Sequence, residues 1–576
     1  MSEHVSSETK LAGKWLGARV TPLAPVVAVY LLATLFTDAY FMADTADYVD
    51  SIAAYDRGLY YDFWEFGHLF WRPLGWLCFK LQSLFLGVPG EAETRARVVW
   101  SLLVINWLAG LVCVVCLYQL VKTVSRREWA AAVVALAFIF SHGFLNYAQA
   151  GSSYVPGLAL LTLGLWLLAR GGERGDDSWR TAALGGAALA ASVCFWLPYL
   201  WAIPAALALP PILFGADAAR KRLAWRAALV CALAVGLSYA AVLVHLGIYS
   251  VAGFREWVAR ASHGNESRGM ARVAFGLPRS FIQMGNDGVL FKRYLLRDPF
   301  NPVTAFDLVR LSLWKIGLFY AVLLAAVVQL LRAAEGKRVL LLLLVSAAPV
   351  LGFAVMFDGG AIERYLPLYP VLFLSLGCAL TGARSKQWAK VIAAALVAVV
   401  ALVNVMAMAK ATLNRQQEAA ASRVRDLASA LQPHSRIFTA TWVDDLVNFN
   451  RSFPLHPLNR GGGLVVGSLV TPGTSQTGQW RQEFAARALE AWGRGGDVWV
   501  SRRVFAARPG ADWSWAEGDD PHISWLDFPA FFADLEMGQT VGGEDGFVLV
   551  PPSEKNRRVL EGFARERRPA GEAARN

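Results

Sequence analysis

A helix needs roughly 20 residues to cross about 30 Å of hydrocarbon, and this sequence repeatedly supplies apolar runs of that length. They fall at 20–37, 98–121, 129–147, 153–169, 181–197, 199–215, 225–246, 310–331, 338–357, 365–382 and 388–408, which predicts about eleven membrane crossings. Of the 576 residues, 56% are hydrophobic and only 17% charged, a composition that excludes an ordinary soluble protein. Cys78, Cys113, Cys116, Cys194, Cys231 and Cys378 all lie in apolar segments, so neither a disulfide framework nor a zinc site is implied. Cys113 and Cys116 have redox-pair spacing but sit among Val and Leu, and read as core packing.

The net charge is +11, and its distribution is that of a membrane protein. Lys122, Arg126 and Arg127, then Arg170, Arg174 and Arg180, then Arg220, Lys221, Arg222 and Arg226, then Arg332, Lys337 and Arg338, then Arg384, Lys386 and Lys390 occupy alternate links, while the short links between them hold only Arg364. Such asymmetry sets orientation and does not mark a nucleic-acid partner. It predicts a cytoplasmic segment 1–19, in which Lys10, Lys14 and Arg19 precede an uncleaved signal anchor, and a C-terminus outside. Residues 71–88 are nearly long enough to cross, which would reverse every later link and put Lys80 near mid-bilayer. The preferred reading is a helix at the outer interface with Lys80 reaching water. The chain thus divides into a transmembrane domain 20–408, with outward loops at 38–97 and 247–309, a domain 409–555, and a charged tail 556–576.

Candidate chemistry lies in the outward regions. Asp44, Asp47 and Asp50 follow the first run, and a carboxylate at the rim of a low-dielectric cavity suits a general base; they equally well solvate a helix end. His68 and Arg72 lie four apart, so a helix would present both to one phosphate oxygen, or use them as an interfacial anchor. The stretch 142–157, HGFLNYAQAGSSYVPG, reads as a turn made by Gly151 and Pro156, with Tyr147 and Tyr154 in the interfacial aromatic belt, or as a pocket lining. In FREWVARA, Phe254, Trp257, Val258 and Ala261 share a helical face expected to lie on the membrane. Arg268, Arg272, Arg279, Lys292, Arg293 and Arg297 follow it, a cationic lid for a lipid phosphate or an attraction to anionic headgroups. The last outward link, FDGGAIERYLPLYP from Phe357 to Pro370, carries Glu363 and Arg364, and a guanidinium that never loses its proton suits a leaving phosphate.

Two of these stretches resemble motifs of the GT-C superfamily of membrane glycosyltransferases, which includes protein O-mannosyltransferases and aminoarabinose transferases. Its acidic D-E-x-x-Y motif after the first crossing is similar to DTADY, where Asp44 and Tyr48 match and Thr45 stands in the place of Glu. An E-R-Y-L-x-P sequence before a late crossing resembles Glu363, Arg364, Tyr365 and Leu366, with Pro367 one place early. His68 and Pro73 resemble an H-x-x-x-x-P opening of the interfacial segment. The resemblance implies a polytopic helix bundle in the bacterial inner membrane. Its activity would be an inverting sugar transfer, at the periplasmic face, from a polyprenyl-phosphate-linked donor to a lipid, glycan or protein acceptor. It assigns Asp44 as base with Asp47 in reserve, Arg364 aided by His68, Arg72 or Arg279 at the phosphate, and Tyr48, Glu363 and Tyr365 in the binding set. No cofactor is required; a divalent cation would assist as in some relatives. The rival readings are a transporter or flippase for a polar lipid, and an inactive scaffold that binds sugar-lipid.

Beyond residue 409 the composition turns polar. A helix near 412–431, strands at 436–441, 463–470, 497–504 and 546–550, and helices near 479–492 and 528–537 predict a small α/β domain with an open, partly parallel sheet. Gly461, Gly462 and Gly463 precede a strand, so they are no dinucleotide fingerprint.

Overall fold

The computed structural model describes residues 22–565 except 41, 43, 59–62, 262–268, 285–293, 295–301, 334, 383–386, 433, 442–464, 471–479, 506–526 and 544–545. Lys10, Lys14, Arg19, Arg268, Lys292, Arg293, Arg297, Arg384, Lys386 and the glycines at 461–463 lie outside the described residues. The helices are α1 (Leu23–Phe36), α2 (Thr45–Asp56), α3 (Trp71–Leu86), α4 (Glu91–Ser125), α5 (Glu128–Ile139), α6 (His142–Tyr147), α7 (Tyr154–Arg174), α8 (Trp179–Phe195), α9 (Ile203–Phe214), α10 (Ala218–His245), α11 (Val251–Ala261), α12 (Met270–Phe281), α13 (Ala305–Arg332), α14 (Gly336–Phe357), α15 (Tyr369–Gly382) and α16 (Gln387–Met408).

Every apolar run is largely helical, 129–147 being divided between two helices, and among the described residues eight helices are long and apolar enough to cross a membrane. Helices α1 and α5 are apolar but shorter, and α8 has 17 residues. The fold is that of a multi-pass membrane protein. Helix α3 has 16 residues and is not among the eight. It buries Trp71, Arg72, Gly75 and Phe79 along one face, exposes Leu77, Leu81, Leu84 and Phe85, and Lys80 pairs with Asp56.

The links sort into two groups. At one end of the bundle Arg220 Nε donates to Gly172 O at 2.7 Å, Arg222 pairs with Asp177 at 2.6 Å and Lys122 with Glu128 at 2.5 Å; these contacts are mostly exposed and each is worth little. At the other end the residue after α1 meets the residue after α16, through a bridge between Thr37 and Ala409 and a hydrogen bond from Asp38 N to Met408 O of 2.9 Å. Since helices alternate direction, the described residues of the 38–90, 140–153, 196–202, 246–304 and 358–368 segments belong to this second end.

Two expectations are corrected there. The run 129–147 is not one helix: the chain turns extended at Ser141, and α6 is a separate short helix buried at every position. The apolar face of α11 is partly taken up by protein, with Trp257 buried and Phe254 still exposed. Trp257 Nε1 donates to Trp64 O at 2.8 Å, and its ring stands 5.2 Å from Phe66, so that face packs on the first loop.

The polar groups of this end are tied internally, as a membrane requires. The C-terminal carbonyls of α12 show it: His142 Nδ1 donates to Arg279 O at 3.0 Å, Tyr369 Oη to Ser280 O, Asn404 Nδ2 to Phe281 O at 2.8 Å, and Lys315 Nζ to Gln283 O at 3.1 Å. Asn404, wholly buried, also donates to Phe140 O at 2.6 Å and accepts from Gln283 N at 2.7 Å.

After α16 the chain continues into α17 (Lys410–Ala430) and a sheet of β1 (Arg436–Thr441), β2 (Val465–Val470), β3 (Val498–Ser501), β4 (Thr540–Val541) and β5 (Phe547–Val550). The order is β2-β1-β3-β5-β4, parallel among the first three and antiparallel thereafter. Alternate residues face opposite layers. Ile437, Trp499 and Phe547 pack with α17 residues Ala421 and Leu427. Phe438, Val498, Val500 and Val550 pack with helices α18 (Trp480–Gly493), α19 (Asp527–Ala533) and α20 (Glu554–Arg565). The expected tail 556–576 begins as α20, which buries Asn556 and Leu560 because Val559, Leu560 and Phe563 form an apolar stripe at helical spacing, and its residues from 566 lie outside the described residues.

Asn404→Leu should strand three buried backbone groups and destabilise the protein by about 3 kcal/mol, read by thermal unfolding of the purified protein in detergent.

Candidate active site

Asp44 ends the first loop's approach to α2, and its side chain does not cap that helix. The carboxylate turns inward instead, where Oδ2 accepts a hydrogen bond of 2.9 Å from Tyr154 Oη. Asp47, three residues on, is exposed, and Asp50 pairs with Arg95 on the outer side of α2. The three aspartates therefore diverge, and only Asp44 faces the bundle. Thr45 is buried, and its Oγ1 accepts from Gly151 N at 3.0 Å. A Cβ on Gly151 would stand 2.5 Å from Thr45 Cγ2, so this close approach leaves no room for a longer side chain at position 45.

Tyr154 is the first of two linked phenols. Its ring meets that of Tyr147 edge to face at 4.8 Å, and Tyr147 Oη donates to Glu363 Oε2 at 2.7 Å. Burial, followed by the charges of Glu363 and Asp44, pushes the Tyr147 phenol well above its usual range, against the pull of Arg279. It therefore stays a donor, and both carboxylates and Arg279 share its surroundings. Arg364 Cζ lies 4.8 Å from the Phe357 ring centroid and 5.8 Å from those of Phe353 and Trp196. Trp196 in turn meets Tyr154 at 4.7 Å. Asp44 and Arg364 are thus brought to one aromatic cluster, a single ring pair apart. Arg279 Nη1 reaches Gly360 O at 3.4 Å, which draws a second guanidinium to the same link. The Nε atoms of Arg279 and Arg364 are buried, with no hydrogen-bond partner among the described residues.

The other expected residues are occupied elsewhere. His68 Nδ1 lies 2.6 Å from Ser153 Oγ and Nε2 lies 3.3 Å from Tyr48 Oη, while Arg72 is buried in an ion pair of 2.6 Å with Glu65 and packs over the Tyr48 ring. Burial and the Asp44 and Glu65 charges raise the Tyr48 phenol well above its usual range. This knot braces α2 against α3, and the expected pairing of His68 with Arg72 at one phosphate gives way to two separate internal bonds. Tyr365 is likewise structural: its Oη donates to Gly359 O at 2.6 Å. Among the described residues no three His, Cys, Asp or Glu side chains gather as a metal ligand set.

Sequence reasoning left Tyr147 and Tyr154 between an interfacial belt and a pocket lining, and missed Trp196. The tyrosines are not in an interfacial belt but 0% and 4% exposed, and their segment is the hub between the first loop and the 358–364 link. The available signal was the density of hydrogen-bonding side chains in an uncharged stretch between two apolar runs, which in a membrane protein must find internal partners.

No protein-family model matches the chain, and no curated protein matches it in sequence. Among solved structures it is similar to ArnT from Cupriavidus metallidurans in the apo state, at 14% identity and a TM-score of 0.50 over 94% of this chain and 98% of that one. It is equally similar to ArnT from the same organism bound to undecaprenyl phosphate, at 14% identity and a TM-score of 0.50 over 93% and 99% of the two chains. The likeness establishes a GT-C-type fold with a small C-terminal α/β region.

The link that carries Glu363 and Arg364 rests on α12 at Gly276, where a Cβ would fall 1.9 Å from Gly359 O. Gly276→Ala should cost about 1–3 kcal/mol through overpacking and open the 358–361 link to limited proteolysis, with thermal unfolding as the measure.

Proposed function

We propose that the chain is a membrane glycosyltransferase that moves a sugar from a polyprenyl-phosphate-linked donor to a hydroxyl of a lipid, glycan or protein acceptor. The observation that carries this reading is the meeting of Asp44 with Arg364 around Tyr154 and Trp196, since the two come from opposite halves of the transmembrane domain. A fixed carboxylate beside an open guanidinium matches what the reaction needs. Asp44 takes the proton of the acceptor hydroxyl, whose oxygen attacks the anomeric carbon from the face opposite the phosphate. The bond from that carbon to the phosphate oxygen breaks, its electron pair stays on the phosphate, and Arg364 stabilises the developing charge with Arg279 nearby. The anomeric configuration inverts. Tyr154 holds Asp44 in place, and the rings of Trp196 and Phe357 offer apolar faces on which a sugar can stack.

Support for the donor class comes from the fold: one of the similar solved structures holds undecaprenyl phosphate, and a lipid phosphate is what a guanidinium at the rim of a membrane bundle suits. The basic links gathered at the opposite end support an orientation with the site and the C-terminal domain at the outer face of the cytoplasmic membrane. Asp44 is preferred to Asp47 as the base, because Asp47 is exposed while Asp44 is held inward by Tyr154.

In a strain carrying Asp44→Asn, mass spectrometry of envelope glycans and polyprenyl-linked intermediates should show the sugar-modified product lowered by at least about 100-fold, with the loaded donor accumulating. An unchanged profile, with the variant made and inserted, would refute the enzymatic reading.

A further inference from the structure

Glu363 and Arg364 are neighbours in the chain, and their side chains are only 13% and 16% exposed. Opposite charges so close and so buried ordinarily close to a hydrogen-bonded pair near 2.7–2.9 Å. Here Glu363 Oε1 stands 3.9 Å from Arg364 Nε, beyond hydrogen-bond reach, and that Nε has no partner among the described residues. The other carboxylate oxygen explains the gap. Glu363 Oε2 accepts the 2.7 Å hydrogen bond from Tyr147, and Tyr147 cannot follow if Glu363 swings away. Its ring is wholly buried, belongs to a helix buried at every position, and is braced edge to face by Tyr154.

We propose that Tyr147 is a positioning residue that holds Glu363 away from Arg364, so that the guanidinium stays open to the phosphate of a polyprenyl carrier. This rests on the reading above, in which Arg364 receives that phosphate. Without the phenol, Glu363 loses its neutral donor in a buried setting, and the nearest replacement is the Arg364 fork. A closed pair cancels the cation, and an incoming phosphate must then displace an internal carboxylate. The phenol thus makes an arginine beside a glutamate usable as an anion site. A wholly structural tyrosine would contribute packing alone, indifferent to the charge at position 363.

The test is the affinity of the purified full-length protein for undecaprenyl phosphate in detergent, followed by native mass spectrometry for the wild type, Tyr147→Phe, Glu363→Gln, the double variant and Arg364→Gln. Tyr147→Phe keeps the ring and should weaken binding about ten-fold. Glu363→Gln should bind at least as well as the wild type, and the double variant should match Glu363→Gln, because a neutral amide no longer competes for Arg364. Weakening by Tyr147→Phe that persists in the Glu363→Gln background would assign Tyr147 to packing and overturn the inference. So would unaltered binding by Tyr147→Phe when Arg364→Gln has lost it. Binding that survives Arg364→Gln would instead overturn the phosphate role of Arg364, a separate result.

Discussion

The structure depends on two phenols that meet edge to face between helices. Tyr154 holds the carboxylate of the first loop and Tyr147 holds that of the last link. In hydrocarbon a polar side chain must find its partner within the protein, and a buried carboxylate without one is costly. These two hydrogen bonds let Asp44 and Glu363 stay at the end of an apolar bundle. Remove the phenols and both carboxylates lose their donors, while the segments around them stay joined by other bonds, such as Gly151 N to Thr45 Oγ1 and His68 to Ser153.

The rest of that end is organised around the same requirement. The carbonyls at the end of α12 are received by side chains from α6, α13, α15 and α16, which fixes the backbone that carries Arg279. The knot of His68, Ser153, Tyr48, Arg72 and Glu65 does the same for the first loop. These networks surround a few buried polar atoms that have no hydrogen-bond partner among the described residues, the Nε atoms of Arg279 and Arg364 beside Arg72 Nε and His142 Nε2. In a site built to receive an anion, unspent donors are what is expected.

Much of the fold is legible in the sequence because the bilayer writes a simple rule. Runs of about 20 apolar residues become helices, and every such run here is largely helical, with 129–147 broken at Ser141. Strand positions in the C-terminal region also follow from short β-branched runs, with β1 falling on 436–441 as expected, whereas the strand order and β4 do not. Partners are less legible. Nothing local marks Glu65 as the companion of Arg72, so a free cation was expected where a buried pair exists. The Trp257 face of α11 reads equally well as a membrane surface or a packing face, since lipid and protein interiors are alike in polarity. Tyr147 and Tyr154 suffered the same ambiguity: tyrosine near a helix end suits either an interfacial belt or an internal hydrogen bond. Only tertiary structure separates the two.

The central claim is that an inward-facing carboxylate and an open guanidinium, from distant parts of the chain, address one bound lipid phosphate. Its most direct test is an electron cryomicroscopy structure of the full-length protein with undecaprenyl phosphate. The account predicts phosphate oxygens on the Arg364 guanidinium, with Asp44 across the same space still hydrogen-bonded to Tyr154. A phosphate held away from Arg364, or Asp44 and Arg364 on opposite flanks of the bundle, would contradict it.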